Sequence, residues 1–257
     1  MRALLAFSAV GSLREDIPPG TFALPTQIID RTKGVRPTSF FEGTTIVAHT
    51  AFGDPFSRRL VKWLEGPITH ALAAEGRGVR LFMDKCIVCM EGPQFSTRAE
   101  SHMYRQWGGD LINMSVLPEA KLAREAEIRY SALRLFEFAA TIADTMFLSS
   151  GGGRDDNDNS YALIATVTDY DSWRPNTEAV TAAEVFRTLR TNAETSRHVA
   201  GTILQELHAA AQQGDILSEE VGSMQSSIMP RSPQQRQEDR DRLRYILPGY
   251  FSEQTSN

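Results

Sequence analysis

The sequence predicts an α/β protein, a mostly parallel or mixed sheet flanked by helices, and three observations carry that expectation. Short runs rich in apolar and β-branched residues alternate along the chain with helical patterns. Two of those helical patterns open on a threonine with a glutamate three residues later, the signature of a capping box. A length of 257 residues with 41% hydrophobic content is enough to bury one main core.

Taken in order, the opening MRALLAFSAVGSLRED places an Arg ahead of a short apolar run and meets acidic residues at once. The run is too short for a secretory signal and reads as a buried strand. TFALPTQIID, TTIVAH, KCIVCME, DLINMS and SYALIATV read as further strands. FSRRLVKWLEGPITHALAAEG carries Leu60, Leu64, Ile68 and Leu72 on one helical stripe, with a kink expected at Gly66-Pro67. TRAESHMYRQWGG is a helix with Thr97 and Glu100 as its capping box and Gly108-Gly109 as its stop. Pro118 starts the next helix, in VLPEAKLARE. Thr181 and Glu184 repeat the box, and the helix behind them runs unbroken toward Gly214.

Roughly 130 to 159 breaks this rhythm with an apolar piece and then SSGGGRDDNDNS, and RYSAL at 129 to 133 resembles SYALIA at 160 to 165. The segment reads as an insertion between a helix and its strand. Residues 1–224 form the main domain on this reading, and 225–257 a charged peripheral helix between loops with a solvated face. No run reaches the length of a membrane-spanning helix. A net charge of −5, from 27 basic and 32 acidic residues, argues against a general nucleic-acid or anionic-membrane surface. The only cysteines, Cys86 and Cys89, stand on a strand at a spacing that puts them on opposite faces, so a reduced pair in a cytosolic protein is expected rather than a metal site.

Four stretches and one histidine could carry chemistry. TDYD, Thr168 to Asp171, follows an apolar strand, and Asp169 and Asp171 point the same way if extended. A partly buried carboxyl there could hand a proton to a departing heterocyclic base; a helix cap or turn is the plain alternative. INMS, Asn113 to Ser115, ends a strand before a helix, a place for an anion or for an ordinary cap. In EGPQFSTRAE, Glu91 to Glu100, Gly92-Pro93 turns the chain and Phe95 either stacks on a flat ligand or plugs the core beneath the helix. SAVGSLRED, Ser8 to Asp16, reads as a glycine turn in which Gly11 lets backbone approach a phosphate. His49 is a surface, core or sugar-contacting histidine. If the loops after CIVCME, DLINMS and SYALIATV share one sheet edge, the crevice suits a nucleoside with an anion beside it.

GSLREDIPPG, IIDRT, RPTSFFEG, EGPQFSTRAESHMYRQWGGDLINMSVLPEAKLAREAE and TDYDSW with its later EAV together resemble the S-methyl-5'-thioadenosine phosphorylases of the trimeric purine nucleoside phosphorylase group. The likeness covers nearly all of residues 8 to 230 outside the insertion. It implies a twisted mixed sheet surrounded by helices, and phosphorolysis of methylthioadenosine to adenine and 5-methylthioribose 1-phosphate. By position, Asp169 would protonate adenine near N7 and Asp171 would accept from the 6-amino group, with Thr168 and Tyr170 in the same substrate-binding stretch. Phe95 would pack along the base, Met114 would lie under the ribose, and Asn113 would stand nearby. Ser115, Ser8 and the Ala9 backbone would contact phosphate, the family commonly carrying Thr at the two hydroxyl positions.

Val180 and Ala182 would line the apolar pocket. His49 and Ile228 would reach the 5'-substituent in a neighbouring subunit, implying a homotrimer. Ser96 stands where 6-oxopurine phosphorylases carry Glu, which favours adenine. Phosphate is a co-substrate, and no metal or cofactor is implied; the setting is cytoplasmic, with the nucleus as a second compartment. The family's glycine-rich phosphate loop and Arg-His pair lie upstream of the SAVGS position, so the resemblance implies a chain lacking them and the first strands of the sheet. A 6-oxopurine nucleoside phosphorylase and a catalytically inactive relative that binds purine or only subunits stay open as other readings.

Overall fold

The computed structural model describes residues 3–128, 145–148, 161–174, 182–213 and 222–251. Strands β1 (Ala3–Ser12), β2 (Phe22–Arg31), β3 (Leu81–Met90), β4 (Leu111–Asn113), β5 (Thr145–Leu148) and β6 (Tyr161–Tyr170) form one mixed sheet in the order β4-β3-β2-β6-β1-β5. β2, β3 and β4 run parallel to one another, and so do β1 and β6, while β2 meets β6 antiparallel. β1 also pairs antiparallel with β4, Gly11 opposite Ile112. Five strands therefore close a ring, and β5 sits beside the first half of β1. Right-handed strand twist makes such curling natural for a sheet of this kind.

Sequence dictates which strands lie deep. β6 is buried along its whole length except at Tyr170, as expected of an apolar run covered on both faces. Helix α1 (Arg58–Ala74) buries Leu60, Leu64, Ile68 and Leu72, the stripe their spacing predicts. It is capped by the Ser57 hydroxyl and continues unbroken through Gly66-Pro67. Helix α2 (Arg98–Gln106) carries the complete Thr97/Glu100 capping box and ends beside Gly108 and Gly109. In α3 (Val116–Glu125) Leu117 is non-helical, so the regular turns begin at Pro118 as the sequence predicts. α4 (Ala182–Gln213) is the long unbroken helix, packed on α1 and β6. Its expected Thr181/Glu184 box lies outside the described residues, as does most of 130–159; within that segment Thr145–Leu148 pair antiparallel with Ala3–Ala6 of β1.

TTIVAH is not a sheet strand. Its backbone finds partners elsewhere: the Thr45 N–H and hydroxyl donate to Asp239, and Ala48 forms a lone antiparallel bridge with Ile228. The peripheral segment, with α5 (Gln237–Arg244) and α6 (Pro248–Phe251), folds back over this loop, where Phe41, Ile46, Met224, Leu243, Leu247 and Phe251 make a second apolar cluster. Asp239 and Leu243 on α5 are buried, so its solvated face is only the remainder of the helix. Thr45 and Arg236 hold the Asp239 carboxyl down to about 2. Cys86 and Cys89 are free, and burial pushes the Cys89 thiol up to about 11.

Candidate functional site

The site lies where the ring closes. Continuing the β1–β4 register beyond Asn113 brings Ser115 opposite Ser8, and their hydroxyls are 3.1 Å apart. Asn113 donates from Nδ2 to both, at 3.1 and 3.3 Å. Its Oδ1 is buried with no partner. Ser8 and Asn113 are buried, and Ala9 and Met114 are partly exposed beside them. Buried polar atoms are nearly always paired, so an orphan acceptor beside two hydroxyls is an address for something from solution.

Across β1 stand the two carboxylates. The β1–β6 register slips between Val10 and Gly11, so that Val10 faces Val167 but Gly11 faces Asp169. Thr168 is the extra residue, a β-bulge of the sort that re-aims side chains. Its hydroxyl lies 2.7 Å from Asp169 Oδ1 and 3.2 Å from the Val10 carbonyl. Gly11 belongs to β1 and makes no turn, contrary to the sequence expectation. Its missing side chain makes room for neighbours: a Cβ there would stand 3.0 Å from Ile112 Cγ2 and 3.2 Å from Asp169 Oδ2.

Just past β6, the backbone N–H of Asp171 and the Trp173 indole both donate to the Ser12 carbonyl, at 3.0 and 2.9 Å. These bonds pin the Asp171 turn to the end of β1. Asp171 is 3% exposed and its Oδ2 has no partner. Burial pushes this carboxyl above the usual range, against the pull of the Ser101 hydroxyl, the Ser172 N–H and the Ser96 hydroxyl nearby. Tyr170 is partly exposed and packs edge-on against Trp173.

The loop after β3 supplies the third wall. Ser96 is buried with its hydroxyl 3.5 Å from Met90 Sδ, and the capping box fixes where α2 begins. Phe95 is 42% exposed, which rules out a plug in the core and leaves its ring for a flat ligand. Gly92 has φ +72, and a Cβ on it would stand 2.5 Å from Met114 Sδ, so only glycine lets Met114 lie across this turn. The three loops do meet, yet β6 runs against β2, so it is ring closure that brings them together rather than a common parallel edge.

His49 and Ile228 come together on the second cluster. The His49 N–H donates to the Ser227 carbonyl at 2.9 Å, beside the Ala48–Ile228 bridge, and His49 is exposed. Val180 lies outside the described residues, and Ala182 is described only as the first residue of α4. Among the described residues no group of three or more His, Cys, Asp or Glu could hold a metal ion. No described helix is long and apolar enough to cross a membrane.

Sequence reasoning passed over Arg36, in the quoted RPTSFFEG. Its Nη1 donates to the Met114 carbonyl at 2.6 Å and its Nε to Glu91 Oε1 at 3.2 Å. A lone Arg between Val35 and Pro37 gives no local sign of partners 55 and 78 residues away. The signal that could have found it is the acidic residue directly after KCIVCM, since a carboxylate at a strand exit needs a cation when buried.

The family model of the phosphorylase superfamily matches residues 1–150. An S-methyl-5'-thioadenosine phosphorylase of Coprinopsis cinerea is 54% identical over 98% of this chain and 74% of its own length. Among solved structures, a methylthioadenosine phosphorylase sourced from an Antarctic soil metagenomic library superposes with a TM-score of 0.74 at 33% identity, covering 96% of this chain and 72% of that one. The methylthioadenosine phosphorylase of Schistosoma mansoni in complex with adenine gives 0.66 at 25% identity, covering 88% and 72%.

Proposed function

The chain belongs to the S-methyl-5'-thioadenosine phosphorylase family of the phosphorylase superfamily, and from that premise we propose that it splits S-methyl-5'-thioadenosine with phosphate into adenine and 5-methylthioribose 1-phosphate. The observation that carries this reading is the pairing, across one strand, of a buried carboxylate pair with a hydroxyl-amide cluster holding an unpartnered acceptor. The S. mansoni relative binds adenine, which is the half of the substrate the carboxylates suit.

In the proposed reaction a phosphate oxygen attacks C1' of the ribose from the side of Ser8, Ala9 and Ser115. The bond from C1' to adenine N9 breaks and its electron pair leaves with the base. Asp169 delivers a proton at N7, which turns a poor leaving group into neutral adenine. Asp171 accepts from the 6-amino group, and the orphan Oδ2 then gains the partner it lacks. Phe95 stacks along the base, with Thr168, Tyr170 and Ser96 around it, while Met114 floors the ribose and Asn113 orients the two serine hydroxyls. Positive charge developing on the ribose is stabilised by the phosphate held beneath it.

The rest of the arrangement follows the family. A homotrimer lets exposed His49 and its neighbour Ile228 close the 5' end of an adjacent subunit's substrate. The reaction needs no cofactor, and the setting is cytoplasmic, extending to the nucleus. The test is a comparison of base release from methylthioadenosine and inosine at equal concentration with phosphate present. Preference for methylthioadenosine supports the reading; faster inosine cleavage overturns it, because a 6-oxo group would leave Asp171 without a donor.

A further inference from the structure

The β3–β4 ladder ends at Cys89 opposite Asn113. One residue beyond β3 stands Glu91, and one beyond β4 stands Met114, both past the last pair of the ladder. Arg36 spans that gap. Its planar fork donates from Nε to Glu91 Oε1 and from Nη1 to the Met114 carbonyl, while the other Glu91 oxygen takes the Lys33 N–H. The Glu91 side chain is 8% exposed. The Lys33 N–H and the Arg36 guanidinium hold its carboxyl below the usual range. The remaining nitrogen, Nη2, is buried without a partner, and the charge is felt at Glu119 and Cys89 deeper in.

What the fork holds is the piece of chain that matters most for the anion. Met114 is wedged over Gly92, and the next residue, Ser115, meets Ser8. Turning the Met114–Ser115 peptide would swing that hydroxyl away from Ser8 and lift the side chain off the Gly92 turn. We propose that Arg36 is a positioning residue for the phosphate and ribose half of the site, acting as a side-chain rung past the end of the β3–β4 ladder; this rests on the function proposed above. It acts through Glu91 and the Met114 carbonyl, and leaves the base half, Asp169 on β6 and Asp171 just past it, in place. A lysine keeps the charge but gathers its three donors on one nitrogen, and so does not reproduce the two-pronged geometry.

The test compares Arg36→Met and Arg36→Lys with the unaltered chain in steady-state phosphorolysis of methylthioadenosine, together with backbone hydrogen exchange of the unliganded proteins. Both variants are expected to lose roughly 10- to 100-fold in kcat/KM for phosphate, through a raised phosphate KM and a lowered kcat, as misplacement of about an ångström does elsewhere. KM for the nucleoside should rise several-fold less than KM for phosphate, because Met114 under the ribose shifts while Asp169 and Asp171 keep the base, a split that loss of folded protein alone would not produce. Exchange should rise around residues 90–92 and 114–117. Phosphate KM unchanged in Arg36→Met, or fully restored in Arg36→Lys, overturns the fork; if Arg36→Met does not fold, Arg36→Lys alone carries the comparison. If the unaltered chain releases no adenine, the proposed function fails, and hydrogen exchange alone decides Arg36, with unchanged exchange at both exits overturning it.

Discussion

At Gly11 a hydrogen atom stands where a side chain would press on Ile112 and on Asp169. Gly11→Ala adds a carbon 3.2 Å from Asp169 Oδ2, and the carboxylate must give way. Folding should survive, since φ there is not left-handed, while kcat for methylthioadenosine falls roughly 10- to 100-fold; an alanine variant with unchanged kcat would show that Asp169 needs no such room. Asp171 is the second test at this scale. Its folded pKa is raised by burial, so its contribution to stability is fully present below the ordinary carboxylate value and is lost as pH rises through the raised one. Asp171→Asn removes that loss, so thermal melts near pH 7 should show the variant at least as stable as the parent, with the gap closing in acid. Adenine affinity should fall in the same variant, and affinity of the parent should rise with pH through the Asp171 value, because a 6-amino donor favours the charged form. Of these residues, Asp169 and Asp171 stood out by their spacing, which left a cap or turn equally open, and their separate roles came only with the family resemblance. Arg36 and Gly11 were not legible, because their partners are brought in by strand register and not by neighbourhood in the chain.

Elements were readable where local chemistry decides them and unreadable where a distant partner does. The capping box of α2 is a local device, and it is present complete, with the Thr97 N–H donating to Glu100 Oε2 at 2.8 Å. Thr97→Ala should cost about 1 kcal/mol in chemical denaturation. Because Thr97 follows Ser96 directly, the substitution should also weaken nucleoside binding; no loss of stability would show that the helix start is held by packing instead. TTIVAH has the composition of a strand, yet its hydrogen-bonding groups are claimed by Asp239 and by the chain around Ile228, some 180 residues later in sequence. The bulge at Thr168 was equally invisible, since nothing in SYALIATVTDYD says that its partner strand will slip by a residue.

On the scale of the whole molecule, the alternation of strands and helices predicted a mixed sheet, and a mixed sheet is what forms. That it closes on itself, β1 onto β4, was not legible, because closure depends on accumulated twist and on Gly11 allowing Ile112 so near. Closure is also what turns three separate strand ends into one crevice. The second cluster has the same logic at the periphery: Glu127, buried at the end of α3, accepts from the Met224 N–H at 2.6 Å and from the Tyr250 hydroxyl, tying the tail that carries Ile228 to the main core. In the proposed reaction the carboxylates and the serine-amide cluster act on a nucleoside and an anion together. The most direct measurement is adenine release from methylthioadenosine by the 257-residue chain, with and without phosphate, beside its Asp169→Asn variant. Release that requires phosphate and drops roughly 100-fold or more in the variant is the predicted result. Release indifferent to phosphate, or a variant that turns over like the parent, would contradict it.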